Sequence, residues 1–158
     1  MFFVIKSFAE EDVRKSVKHG CWTSTSQGNA RLDAAWRGED TTIAPCSRPG
    51  SSGAPPSKPR VILFFSVNSS GHFCGVAEMT SPVDDDAVDA TLLPPAAAAS
   101  WPGRFAVKWH IVKDVPNTAL RHIRVCAGDK KPVPNSRDAQ EIEPAQGALV
   151  LNIFREYR

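Results

Sequence analysis

The stretch from Arg60 to Met79 constrains this chain more than any other. Arg60–Val67 and His72–Met79 are apolar, β-branched and aromatic, and Asn68-Ser69-Ser70-Gly71 joins them. Two such runs across a short polar loop read as an antiparallel hairpin. A hairpin this apolar has to be part of a larger buried sheet, because two strands alone are marginal in water.

The flanking segments supply the rest of that sheet and its cover. Phe2–Lys6 reads as a strand, and Phe105–Val112 as another. Ser7 followed by Glu10 has the spacing of a capping box, opening a helix that carries Val13 and Val17 and stops near Gly20. Asn29–Arg37 is a second helical pattern, with Leu32 and Trp36 four apart and Gly38 as its stop. Pro116–Ile123 suits a short helical turn, and Lys131–Ile142 reads mostly as loop. Pro144–Tyr157 reads as a helix with Leu149, Ile153 and Tyr157 along one stripe. The order β-α-α-β-β-β-α gives an α/β domain with a mixed sheet and helices against it. Residues 39–59 are rich in proline, glycine and serine, and 81–100 ends in a proline–alanine run. Both are expected to be flexible insertions within one domain spanning residues 1–158.

A chain of 158 residues with 42% hydrophobic and 23% charged residues has the composition of a globular domain, so wholesale disorder is excluded. The apolar runs are too short to span a bilayer. Charge follows the apolar start at Lys6, so no signal peptide and no membrane are expected. Cys21, Cys46, Cys74 and Cys126 lack metal-site spacing and read as free thiols. Net charge is only +2, yet Val76–Ser100 carries five acids and no Lys or Arg, while Trp101–Arg137 carries eight Lys and Arg against two Asp. A concentrated basic segment is an electrostatic footprint for an anionic partner.

Catalytic patterns are missing: there is no G-x-S-x-G, H-E-x-x-H, Walker loop or G-x-G-x-x-G. His19, His72, His110 and His122 are scattered, and Asp84-Asp85-Asp86 lacks the alternation of a calcium loop. No enzyme, metal or cofactor is expected. Tryptophan is more informative. Trp109 and Trp36 fall on core faces, whereas Trp22 follows the helix stop Gly20 and precedes Thr23-Ser24-Thr25-Ser26, and Trp101 precedes Pro102-Gly103. Trp22 and Trp101 are therefore expected in loops, as an exposed aromatic surface. Beside a basic segment, such a surface suits the stacking of a splayed-out RNA base.

Several stretches then carry a specific resemblance. They include Phe3-Val4-Ile5-Lys6-Ser7, Trp22-Thr23-Ser24-Thr25, Arg31-Leu32-Asp33-Ala34-Ala35 and the run Leu63–Met79. Val107–Asn117, Leu120-Arg121-His122-Ile123, Lys131-Pro132-Val133 and Asn135-Ser136-Arg137-Asp138-Ala139-Gln140-Glu141 complete the set. In this order they resemble the YTH domain, in its cytoplasmic branch. The resemblance implies a barrel-like, PUA-like mixed sheet and a module that reads N6-methyladenosine in single-stranded RNA through an aromatic cage, without catalysis. It further implies roles in mRNA regulation and stability, a cytoplasmic location with the nucleus as alternative, and effector proteins bound outside this domain.

Carried over by position, the resemblance makes Trp22 the first cage wall and Trp101 the last. It assigns the Thr23 carbonyl to the N6 hydrogen, Asn68 and Asp12 to the ring nitrogens, and Lys6, Ser7, Arg137 and Asp138 to the pocket and the adjoining phosphate. Two positions depart from the pattern. Phe8 stands where the family usually has tyrosine, which removes any bond by that hydroxyl. The family's middle cage tryptophan falls here in Leu92–Ala99, which has no aromatic, so Leu92, Leu93 or Trp101 has to fill the wall. Two rival readings are a YTH-like domain with weakened or lost methyl selectivity, and a nucleic-acid-processing enzyme on a PUA-like scaffold.

Overall fold

In the computed structural model, residues 1–38, 60–84, 103–125 and 130–157 are described. β1 (Phe2–Ser7) and β3 (Ile62–Val67) run parallel in register, from Phe2 opposite Ile62 to Ser7 opposite Val67. The expected hairpin is present, with β3 antiparallel to β4 (His72–Met79). β4 in turn pairs antiparallel with β5 (Phe105–Pro116). Two short strands form the edges: β2 (Cys21–Trp22) on β5 and β6 (Gln140–Ile142) on β1. The order β2-β5-β4-β3-β1-β6 is a mixed six-stranded sheet that curls into a half-barrel.

Alternation along the strands sends side chains to two cores, one on each face. Phe3, Ile5, Leu63, Phe65, Met79 and Phe105 pack on one face with Val13 of α1 (Glu10–His19) and Leu32 of α2 (Ser26–Arg37). On the other, Val4, Phe64, Phe73 and Val115 pack with Leu120 of α3 (Asn117–Leu120) and with Val150 and Phe154 of α4 (Pro144–Glu156). Rings reinforce the second core: Phe64 stacks between Phe2 at 5.6 Å and Phe154 at 6.0 Å.

Several sequence expectations need correcting. Ser7 does not cap α1. It is the last residue of β1, and its hydroxyl donates to the Ala9 carbonyl at 2.8 Å. Ala9 occupies the N-cap without a side-chain bond, and Glu10, Glu11 and Asp12 complement the helix dipole instead. The stop at Gly20 holds, at φ 68°. α2 begins a turn earlier than expected because the Thr25 hydroxyl accepts the Gly28 N–H. Beyond Val112, β5 continues to Pro116, which pairs with His72. Within the expected loop 131–142 lie a 3₁₀ turn (Val133–Asn135) and β6. Of the insertion at 81–100, residues 81–84 lie along β5, where the Ser81 hydroxyl accepts the Ala106 N–H and Asp84 bridges Arg104. The rest of it, like 39–59, falls outside the described residues.

The buried stripe of α4 is Gly147, Val150 and Phe154, not Leu149, Ile153 and Tyr157. Leu149 is 50% and Tyr157 36% exposed. Gly147 decides the face, since a Cβ there would meet the Phe2 ring at 2.2 Å. The glycine lets the helix close onto β1. Lys113 then holds the far end, its ammonium donating to the carbonyls of Phe154 and Tyr157 at 2.7 Å each.

Candidate RNA-binding site

The parallel pair β1–β3 ends at Ser7 and Val67, and chain segments far apart in sequence gather at that end. Asp138, just before β6, is the node. Its carboxylate accepts the Lys6 N–H at 2.9 Å and the Ser24 hydroxyl at 2.5 Å. Burial pushes the Asp138 carboxyl above the usual carboxylate range, and the bonds from Ser24, Lys6 and Ala139 work against that rise. The Ser24 N–H is in turn held by the Asn29 side chain at 2.9 Å. Asp138 thus ties the end of β1 to the segment between β2 and α2.

Lys6 occupies the same end. Its ammonium donates to the Pro134 carbonyl at 2.9 Å and lies over the Phe73 ring, 5.3 Å from the centroid. Burial lowers its pKa, with Asp138 opposing. Ser7 is buried, and its carbonyl accepts the Asn68 N–H at 2.8 Å, which joins the β3–β4 turn to the cluster. The Asn68 residue itself is exposed, as is Arg137. Asp12, in the first turn of α1, is half-buried, and burial pushes its carboxyl up.

Trp22 differs most from expectation. It is not an exposed loop residue but lies in β2, opposite Phe105, with only 5% of its surface exposed. Its ring meets Phe65 edge-on at 5.0 Å and 88°. The reason is tertiary: pairing with the β5 edge turns the residue after a helix stop into a strand residue facing the first core. The indole N–H is buried and unpaired. Thr23 follows, buried, and its hydroxyl donates to the Gly103 carbonyl at 2.6 Å. That bond ties the segment after Trp22 to the residue two places after Trp101. Trp101, Leu92 and Leu93 themselves fall outside the described residues.

The structure therefore gathers Lys6, Ser7, Asn68 and Asp138 with Trp22 and Thr23, the last two through Ser24. Sequence reasoning missed Ser24. Nothing in a Thr-Ser-Thr-Ser run marks the one hydroxyl that meets a carboxylate 114 residues away.

Known proteins resemble this chain in sequence and fold. The YT521-B-like domain family matches residues 1–155. YTH domain-containing protein ECT2 of Arabidopsis thaliana is 45% identical over 157 residues, which cover 99% of this chain and 21% of that protein. YTH domain-containing family protein 1 of Mus musculus is 46% identical over 156 residues, 99% of this chain and 24% of that protein. The chain thus spans less than a quarter of the length of these two relatives. Among solved structures, the YTH domain of the Zygosaccharomyces rouxii MRB1 protein in complex with N6-methyladenosine RNA superposes with a TM-score of 0.79 at 38% identity, covering 99% of this chain and 88% of that one. The Pho92 YTH domain in complex with m6A gives 0.78 at 37%, over 98% and 85%. With the fold and the matched segments in agreement along nearly its whole length, the chain belongs to the YT521-B-like, or YTH, domain family.

Proposed function

We propose that this chain is a single RNA-binding module that reads N6-methyladenosine in single-stranded RNA and works by binding rather than catalysis. The observation that carries the reading is the convergence at one end of the half-barrel of Trp22–Thr23, Lys6–Ser7, Asn68 and Asp138. Its support is the likeness to two YTH domains solved with the methylated ligand. Trp22 forms a cage wall, and the Thr23 hydroxyl next to it is bonded to the Gly103 carbonyl; Trp101 is the second cage position of this reading. On this reading Leu92, Leu93 or Trp101 replaces the wall tryptophan of the family pattern.

The chemistry of such a cage is differential. A methylamino group is neutral, so attraction comes from stacking, about 1–3 kcal/mol per base, and from methyl burial, roughly 0.8 kcal/mol. The Thr23 carbonyl accepts the remaining N6 hydrogen, and Asn68 and Asp12 face the ring nitrogens. Only a protonated carboxyl donates to a ring nitrogen, and burial moves the Asp12 carboxyl above its ordinary value, with Lys15 opposing. Lys6 and Arg137 meet phosphate, which adds affinity without sequence information. No helix among the described residues is long and apolar enough to cross a membrane. A cytoplasmic role in mRNA regulation, with effectors recruited by other parts of a longer protein, follows from the same reading.

The test is a paired titration with five-nucleotide RNAs that differ only in the N6-methyl group. Tighter binding of the methylated strand, weakening with salt, is the expected result. Equal affinities overturn the reading.

A further inference from the structure

The peptide unit that joins Thr23 to Ser24 has one end in the site just described, since on that reading the Thr23 carbonyl accepts the N6 hydrogen. Its other end is fixed. The Ser24 N–H donates to Asn29 Oδ1 at 2.9 Å, and Ser24 and Asn29 are 0% and 3% exposed. The unit is trans, and in a planar trans unit the C=O and the N–H point in opposite directions. Whatever holds the Ser24 N–H therefore aims the Thr23 carbonyl. Turning that plane over would leave a buried N–H unpaired, which folded proteins avoid.

Local sequence explains why Asn29 reaches that N–H. Thr25 is the N-cap of α2, and the Asn29 N–H donates to the Thr25 carbonyl at 2.8 Å. That places Asn29 one turn into the helix, where side chains tilt back toward the N-terminus and so toward Ser24. Gly28 keeps the passage clear, because a Cβ there would collide with the Ser24 hydroxyl. The side chains flanking the unit are tied down as well, Thr23 to the Gly103 carbonyl and Ser24 to Asp138. Those two bonds hold the flanks, whereas Asn29 holds the N–H of the unit itself.

A fixed acceptor has a consequence for recognition. N6-methyladenosine offers one N6 hydrogen, adenosine two and N6,N6-dimethyladenosine none. A carbonyl that cannot turn away rewards the first two. Against the third it stays unpaired, with a second methyl group in the hydrogen's place. We propose that Asn29, acting through the Ser24 N–H, is the positioning residue that aims the Thr23 carbonyl and so sets discrimination between one and two methyl groups on N6. The inference rests on the methyladenosine reading above and adds to it the residue behind the base contact.

The experiment titrates folded protein, checked by circular dichroism, with five-nucleotide RNAs carrying adenosine, N6-methyladenosine or N6,N6-dimethyladenosine at one position. The unaltered protein should bind the monomethylated strand tightest. In Asn29→Ala the monomethyl-to-dimethyl ratio should fall about three- to tenfold, the size of one neutral hydrogen bond. The monomethyl-to-unmethylated ratio should hold, because both of those ligands use the same carbonyl. The isosteric Asn29→Asp retains the acceptor oxygen and should keep both ratios. If Asn29→Ala does not fold, Asn29→Ser, which draws the oxygen back from the Ser24 N–H, carries the same expectation. An unchanged monomethyl-to-dimethyl ratio, or both ratios falling together, makes Asn29 a structural residue only and overturns the proposal, with the methyladenosine reading intact. If the unaltered protein binds methylated and unmethylated strands equally, that reading falls and the proposal with it.

Discussion

Asp138 and Ser24, 114 residues apart in the chain, meet as carboxylate and hydroxyl at 2.5 Å. The same carboxylate accepts the Lys6 N–H, so one side chain positions both the end of β1 and the segment that follows Trp22. Asp138→Ala strands a part-buried hydroxyl and a part-buried N–H. It should cost about 1–3 kcal/mol of stability, with Ser24→Ala costing less, as read by denaturant unfolding. A double-mutant cycle on the pair should show coupling, because the residues share one bond.

Trp22→Ala is expected to act on fold and binding together. The side chain is 5% exposed and packs on Phe65, so truncation should cost about 3–5 kcal/mol. Trp22→Phe retains an aromatic wall and most of the packing. It should stay folded by circular dichroism and keep a reduced preference for methylated RNA, whereas folded Trp22→Ala should keep none.

Gly75 tests the sheet without touching the site. A Cβ there would stand 2.5 Å from the Ile111 carbonyl and 2.7 Å from the Trp109 ring. Gly75→Ala should therefore lower stability by about 1–3 kcal/mol through overpacking, seen as a drop in Tm. The ratio of methylated to unmethylated affinity in the folded fraction should not change.

The cage wall lost from Leu92–Ala99 offers a gain-of-affinity test. Leu92→Trp or Leu93→Trp should tighten methylated RNA by about 1–2 kcal/mol, part of a base–aromatic stacking contact, which is roughly ten- to thirtyfold. Unmethylated RNA should gain less, since only the methylated base fills the wall. Isothermal titration of both strands measures the difference.

Cys74 gives a pH-dependent readout of packing. Burial pushes its thiol up to about 12, and its S–H faces the Phe65 carbonyl at 3.4 Å. Only the thiolate reacts, so the protonated form protects Cys74 throughout the neutral range. Alkylation near neutral pH should leave Cys74 unmodified in the folded protein, while Cys21, only half-buried, is modified ahead of it. Unfolding should release Cys74 to ordinary reactivity.

The hairpin of β3 and β4, the strand at β1, the Gly20 and Gly38 helix stops and the mixed character of the sheet were legible in the residues, because each depends on neighbours a few positions away. Binary pattern and turn chemistry decide such elements locally. Motif order likewise named the family, and with it Trp22, Thr23, Lys6, Asn68 and Asp138 as a group. What the residues could not show depends on distant partners. Trp22 and Cys21 are too short a run to read as a strand, and become one only against Phe105 and Ala106. Gln140–Ile142 becomes a strand only against β1. The face of α4 follows from the fit of Gly147 on Phe2, which outweighs the exposed Leu149 stripe. Ser24 looks like an ordinary loop residue, and its bond to Asp138 exists only once the fold removes the water around the two. Burial then makes an unpaired carboxylate or hydroxyl costly, and that cost fixes which two of the many polar side chains must meet.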